Sequence, residues 1–388
     1  MKKVIIVGAS YAGLYAAKKF INNKEIEVLL FDKSDYHYIQ VESYGFVATK
    51  YDIADVTINV NEYIKNLDSN ITFKRNEIKS FDSKSKKVIT SDNEEYVYDY
   101  LIIATGSITN FPVQVPNIQN YSRGIKTLQK ASDVKQTFDS IMNEVIWKQK
   151  NIKNKIYNVV IGGAGLSGVE IAAEMSAMLK KDFSFNNECS KINIILVDGM
   201  KTVLPNMDDR LVISTQKRLE VLEVEIHLGS FIKDVDEKKI YLANDVVVDY
   251  DYFIFTGGIK GFTLNSDKAH EVNKLNQYIT DDYLHLKGED DIFVIGDVAQ
   301  VIHNNEYLAP TAQLAIKAGE YVSAFIQDEI RKKPQNIFNT FNPKLNGTLI
   351  SLGGSYAVAL VYNTFFIRGF CAYLLKKFVT RAHKRKFI

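Results

Sequence analysis

At 388 residues, 46% of them hydrophobic and 24% charged, the chain is long enough for two or three domains with cores of their own. Its net charge of +2 hides an asymmetry: no acidic residue follows Glu329, eleven basic ones do, and the 37 basic against 46 acidic residues before them leave a body at −9 that suggests an anionic partner for the tail. Two distant cysteines, Cys189 and Cys371, without CxxC spacing argue against a disulfide framework or a zinc site, and no run of 18 uninterrupted apolar residues reads as a membrane span.

The first strand is expected to begin at Lys3, and on that reading no signal or transit peptide is expected. Apolar residues 4–7 read as a buried parallel strand, Gly8-x-Ser10-x-x-Gly13 as a tight turn and residues 14–20 as a helix. A second strand at 28–31 ends in Asp32, 24 positions after Gly8, near the interval at which an acid accepts a ribose hydroxyl. Ser10 replaces the middle glycine and narrows the backbone approach without closing it. Residues 50–80 are polar and mixed, with a strand expected at 71–74. The apolar run 101–103 then ends in Ala104-Thr105-Gly106, and a domain boundary is placed near residue 111.

A polar stretch with helical spacing, 126–154, ends in a lysine-rich linker at 148–155. Next comes a second fingerprint, Val159-Val160-Ile161 followed by Gly163-x-Gly165-x-x-Gly168 and a helical run at 169–175. The glycines let a pyrophosphate approach the backbone, and the helix N-terminus directs N–H groups and a positive dipole end at it. Its acid, Asp198, is late, 35 positions after Gly163, and a polar insertion at 179–192 accounts for the excess. An acid there accepts a 2′-hydroxyl and repels a 2′-phosphate, which predicts NADH over NADPH, a preference weakened by Lys201. Thr256-Gly257-Gly258 after strand 252–255 echoes the earlier Thr-Gly turn and marks the return of the chain to its first domain. Residues 291–295 form another buried strand, closed by Gly296-Asp297 at the carboxyl end where ligands of parallel sheets bind. A helix is expected from about Pro310 to Ile326. In the tail, Ile367, Phe370, Cys371, Leu374, Leu375, Phe378, Val379 and Ala382 share one broad helical face, with Lys376, Lys377 and Lys384 opposite it and Arg381 and Arg385 cutting into its edge. A membrane-surface helix is expected, with a dimer-interface helix as the alternative.

In order, these features resemble the two-dinucleotide-binding-domain flavoproteins. Within them, Asp35-Tyr36-His37-Tyr38, Gly168-Val169-Glu170, Leu308-Ala309-Pro310-Thr311-Ala312-Gln313 and the stretch from Gly347 to Gly353 resemble type II NADH dehydrogenase, the single-subunit NADH:quinone oxidoreductase, over nearly the whole chain. The resemblance implies an α/β fold of two Rossmann-like domains. The NADH domain, 112–257, would be inserted in the FAD domain, 1–111 and 258–335, and a membrane-associating segment, 336–388, would follow. FAD would take Gly8, Ser10, Gly13, Asp32, Lys33, Ala104, Thr105, Gly106 and Asp297. NADH would take Gly163, Gly165, Gly168, Asp198 and Gly257. Glu170 matches the glutamate near the nicotinamide and flavin, and Gln313 the glutamine beside the quinone; these two are the catalytic candidates, with no metal. A second glutamine, expected four residues later, is Lys317 here.

The implied chemistry passes a hydride from NADH to FAD and electrons to a quinone without proton pumping, on the cytoplasmic side of a membrane held peripherally, with no nucleic-acid partner. The helix starting at 311–313 would stabilise negative charge on the reduced flavin by about 1 kcal/mol. Glu170, if desolvated, would have a raised pKa and relay a proton to the quinone; otherwise it caps or pairs locally. Disulfide reductases and cysteine-dependent peroxidases of this fold need cysteines beside the flavin that the chain lacks. A soluble reductase of a rubredoxin- or ferredoxin-type carrier and an NADH-sensing flavoprotein stay open as alternatives.

Overall fold

A computed structural model of the protein describes every residue except 68, 148–154, 183–191, 334–338 and 388. Most of the expected linker at 148–155, much of the expected insertion at 179–192, and Cys189 lie outside the described residues.

The chain opens with β1 (Lys2–Val7), α1 (Tyr11–Lys19), β2 (Ile26–Asp32), the short helix α2 (Ser43–Val47), β3 (Ile71–Arg75) and β4 (Tyr100–Ile103). A second run holds α3 (Leu128–Trp147), β5 (Tyr157–Gly162), α4 (Leu166–Asp182), β6 (Ile192–Asp198), α5 (Asp209–Val221), β7 (Glu225–Leu228) and β8 (Tyr252–Phe255). Then come β9 (Ile292–Val294), α6 (Ala312–Ile330), β10 (Gly347–Ser351), β11 (Ala357–Val361), β12 (Phe365–Gly369) and α7 (Phe370–Lys384).

Two parallel sheets result, β3-β2-β1-β4-β9 and β7-β6-β5-β8. Their central strands are covered on both faces, so apolar residues run continuously instead of alternating, and Val4, Ile5, Ile6, Val159, Val160 and Ile161 are fully buried. β9 joins the first sheet only after the chain has built the second. The outgoing segment Ser107–Thr109 and the returning segment Ile259–Gly261 pair antiparallel, with Ile108 opposite Lys260. Small residues let α1 and α6 cross closely: a Cβ on Gly319 would stand 2.4 Å from the Ala12 carbonyl, and Ser323 Oγ donates to Ala16 O at 3.0 Å.

The C-terminal strands form an antiparallel meander between the second unit and α7. Alternation sorts its faces. Ile350, Val358 and Leu360 enter the core with α4 and α5, while Ala357 and Ala359 meet Ala372 of α7. Ile367, expected on the helical stripe, belongs instead to β12, opposite Ala359; Gly369, at φ 77°, turns the chain from strand into helix.

Helix α7 is amphipathic with its polar side inward. Phe370, Leu374, Phe378 and Val379 are exposed, Phe378 at 69%. Lys376 is buried, Lys377 donates to Tyr51 Oη, and Lys384 donates to Ala54 O at 2.6 Å. His383 lies 3.1 Å from Tyr15 Oη and 3.3 Å from His37, and Thr380 Oγ1 donates to Glu42 at 2.6 Å. The three lysines expected opposite the apolar stripe therefore hold the helix on the body and are not free for headgroups.

Candidate active site

Both glycine turns are built alike. After β1, Gly8 adopts φ 112° and after β5, Gly163 adopts φ 111°; a Cβ on Gly13 or Gly168 would stand 1.8 Å from the carbonyl of Gly8 or Gly163. Each helix can leave its turn at this angle only with hydrogen in that position. The strand-end acids match as well. Asp32 accepts from Ala9 N at 2.7 Å and Ser34 N at 2.8 Å, and Asp198 from Ala164 N at 2.5 Å and Met200 N at 2.7 Å. Burial raises the Asp32 pKa against the pull of its two N–H donors.

The cradles fit a pyrophosphate. Neither α1 nor α4 has an acid in its first turn, and Ser10 caps α1 without a side-chain bond to it. Ser10 Oγ instead lies 3.2 Å from His37 Nδ1. A Cβ on Gly165 would meet nothing within 4 Å, so that turn stays open. Gly257 packs on the second turn: a Cβ on Gly163 would reach 2.7 Å from its nitrogen. Lys33 reaches Glu77 at 3.9 Å and the Phe262 ring at 5.5 Å.

Beside the first turn, Ala104 N bonds Val7 O at 2.8 Å, Thr105 Oγ1 donates to Phe262 O at 2.5 Å, and Gly106, at φ 73°, faces open space. Asp297, at the end of β9, accepts from Ser107 Oγ at 2.6 Å and Lys126 Nζ at 3.2 Å, and Lys126 also donates to Gln40 Oε1 at 2.9 Å.

The second centre lies where α4, α2, β10 and α7 meet. Glu170 Oε1 accepts from Ser351 N at 2.8 Å and from Lys376 Nζ, whose ammonium sits 4.4 Å over the Tyr44 ring. Tyr44 Oη donates to Glu42 Oε2 at 3.1 Å. One turn along α4, Glu174 is fully buried and accepts from Lys50 Nζ at 2.9 Å and Gly354 N at 3.1 Å. Burial raises the Glu170 pKa, and Lys376 partly opposes the rise. Gln313, in the first turn of α6, accepts from Asn346 N at 2.6 Å through its side-chain carbonyl, and Lys317 pairs with Glu320 at 3.2 Å. No hydrogen bond joins Gln313 to the Glu170 set among the described residues.

Residues 2–319 match the pyridine nucleotide-disulphide oxidoreductase family. A type II NADH:quinone oxidoreductase of Staphylococcus saprophyticus subsp. saprophyticus is 30% identical over 98% of this chain and 95% of that protein. The chain belongs to the type II NADH:quinone oxidoreductases. Among solved structures, NDH2 from Plasmodium falciparum in complex with NADH superposes with a TM-score of 0.83 at 18% identity, covering 100% of this chain and 99% of that one. The sulfide:quinone oxidoreductase of Aquifex aeolicus does so with a TM-score of 0.81 at 15% identity, over 98% and 90%. At those identities the likeness is one of fold.

In this type II NADH:quinone oxidoreductase the structure brings Lys376, Ser351, Tyr44, Glu42, Lys126 and Ser107 to the acids singled out in the sequence, where none of these residues stands as a candidate. Lys376 left a trace as a lysine opposite the apolar stripe of the tail, and Ser351 as a member of the stretch from Gly347 to Gly353.

Proposed function

We propose that the chain takes a hydride from NADH onto FAD and passes the electrons to a quinone at a membrane surface, without pumping protons. The observation that carries this reading is the doubled turn-and-acid cradle, two dinucleotide sites of the same construction in one chain. FAD, when bound, supplies the hydride acceptor and the electron carrier. Gly8, Ser10, Gly13 and Asp32 hold its adenosine end, while Ala104, Thr105, Gly106 and Asp297 border the flavin. Gly163, Gly165, Gly168, Asp198 and Gly257 hold NADH. Glu170, buried against Lys376, keeps a proton within reach of the quinone, and Gln313 borders the headgroup. The test is steady-state NADH oxidation with a water-soluble quinone, a rubredoxin and oxygen compared side by side. Fast turnover with the quinone supports the reading; exclusive reduction of rubredoxin replaces it with a carrier reductase, and negligible turnover with all three with a sensor.

Asp297 is expected to matter for cofactor retention, because its carboxylate anchors Ser107 and Lys126 at the flavin border. Asp297→Ala should lower flavin occupancy strongly in the purified protein, read from the ratio of flavin to protein absorbance. Full occupancy with unchanged affinity removes Asp297 from the site.

Asp198 is expected to favour NADH, since a carboxylate fixed at the strand end opposes a 2′-phosphate by on the order of 1–3 kcal/mol. The kcat/KM ratio for NADH over NADPH measures it directly. Equal values, or a bias toward NADPH, reject the role.

The exposed side of α7 suits the cytoplasmic face of a membrane. Phe370, Leu374, Phe378 and Val379 stand outward with Phe365 and Tyr362 nearby, and Arg368, Arg381 and Arg385 are exposed among them. Among the described residues no helix is long and apolar enough to cross a membrane. Each arginine near an anionic leaflet contributes about 1 kcal/mol. The protein should float with anionic vesicles in a salt-sensitive way, and combined Phe370→Ser, Leu374→Ser and Phe378→Ser should abolish flotation. Undiminished flotation of the variant refutes the anchor; loss of an oligomer in its place identifies a subunit interface.

A further inference from the structure

Phe231 presents an aromatic ring to solvent at 66% exposure. A lone exposed apolar side chain is ordinary on a protein surface, so its placement decides its meaning. The ring lies against Gly199, the residue after Asp198: a Cβ on Gly199 would stand 2.2 Å from Phe231 Cδ1. Two backbone bonds stitch the loops together, Gly229 N to Met200 O at 2.8 Å and Ser230 N to Asp198 O at 3.4 Å. From the other side, Ala243 N donates to Phe231 O at 2.9 Å and Asn244 N to Ser230 Oγ at 3.1 Å. The ring is therefore carried on a fixed backbone at the carboxyl edge of the second sheet.

The strand order sets what lies over that edge. A dinucleotide places its pyrophosphate on the turn after β5 and a ribose at the acid ending β6. The sheet runs β5-β6-β7, so the step from the Gly163 turn to Asp198, continued in the same direction, arrives at the loop after β7, which is Gly229 to Phe231. The base is one glycosidic bond beyond the ribose. A flat π-face next to a glycine, where no side chain intervenes, is the surface that binds a purine by stacking.

We propose that Phe231 is the platform on which the adenine of NADH stacks, and that Gly199 is glycine because any side chain there would displace the ring. The proposal rests on the reading of this edge as the NADH site. Phe231 then sets nucleotide affinity and touches no reacting atom, so it is a positioning residue.

The experiment is titration calorimetry of the flavin-loaded protein with ADP-ribose, which carries the adenosine half of the ligand and cannot be oxidised. It is run on wild type, Phe231→Ala and Phe231→Tyr. The Ala variant should bind ADP-ribose roughly 5- to 150-fold more weakly, the span of one base–aromatic stack, and the Tyr variant should bind like wild type. In turnover, the Ala variant should raise KM for NADH with kcat held, and the penalty should vanish with reduced nicotinamide mononucleotide, which has no adenine. Binding of ADP-ribose by the Ala variant within twofold of wild type overturns the stack while leaving the NADH reading in place. An equal penalty with the mononucleotide overturns it too, because the defect then lies elsewhere in the fold. Wild type that neither binds ADP-ribose nor oxidises NADH overturns the site itself, and the stack with it.

Discussion

Lys376→Met should destabilise the protein by about 3–5 kcal/mol near neutral pH, the usual consequence of leaving one member of a buried ion pair unpaired. Lys376 and Glu170 are both buried, and the ammonium is the partner that offsets the desolvation of the carboxylate. Methionine fills a similar volume but leaves Glu170 with Ser351 N as its remaining donor. The pH dependence has a definite sign. Burial already raises the Glu170 pKa above its ordinary 4.5, and without Lys376 it rises further. A carboxylate whose folded pKa exceeds its unfolded one binds more protons when folded, so its contribution to stability falls as pH rises from 4.5 toward the folded pKa. The deficit of the variant should therefore be small below pH 4.5 and widen on going toward pH 8. Combining it with Glu170→Gln should restore most of the loss, because replacing both partners removes the buried charge. Denaturant titrations at two pH values measure all three proteins. A Lys376→Met variant as stable as wild type at pH 8 would show that the pair is not structural.

The same contact changes what truncation of the tail means. Deleting the chain after Asn363 looks from sequence like the removal of a membrane anchor that leaves the chemistry untouched. In the structure it also strips Lys376 from Glu170, Thr380 from Glu42 and His383 from His37. A truncated protein is thus expected to lose turnover with a water-soluble quinone along with membrane binding. Substitution of the outward face of α7 is the cleaner way to separate the two.

What was legible in the sequence was local. Glycine spacing, apolar strands and a terminal acid lie within one strand–turn–helix unit, and residues that close in sequence have few ways to be arranged. The late position of Asp198 follows from the length of α4, 17 residues where α1 has 9, together with the residues that follow it. The Glu170 centre was not legible because its members come from four elements, with Lys376 separated from Glu170 by 206 positions. Periodicity showed that α7 has an apolar and a polar face but not which one meets the protein. An ordinary surface helix buries its apolar stripe. Here the polar stripe is buried, and lysines that read as headgroup contacts are interior partners of a carboxylate and a phenol. Ser351 and Asn346 act through backbone N–H groups, which leave no residue signature at all.

Glu170→Gln should slow quinone reduction by about a hundredfold or more, the range over which a positioned proton donor acts, while reduction by NADH stays near the wild-type rate. Glutamine keeps the shape of the side chain and a carbonyl that can still accept from Ser351 N and Lys376 Nζ, but it leaves the buried Lys376 ammonium without its counter-charge, so a loss of stability accompanies the variant and its rates are read at a temperature where it is fully folded. It loses the exchangeable proton. Quinone reduction consumes protons, and a carboxyl whose pKa is lifted by burial holds one closer to neutral pH than an exposed glutamate would. The hydride step from NADH draws on no proton from Glu170, so the two half-reactions should part company in the variant. Stopped-flow spectroscopy separates them: flavin bleaching by NADH reports the first, and its return on mixing with a water-soluble quinone reports the second. Glu170→Asp, which restores an ionisable group one methylene short, should recover part of the rate and bring back a pH dependence that the amide abolishes. If both half-reactions of Glu170→Gln run at wild-type speed, or if both slow equally, Glu170 serves only to seat α7 and the proton reaches the quinone by another route.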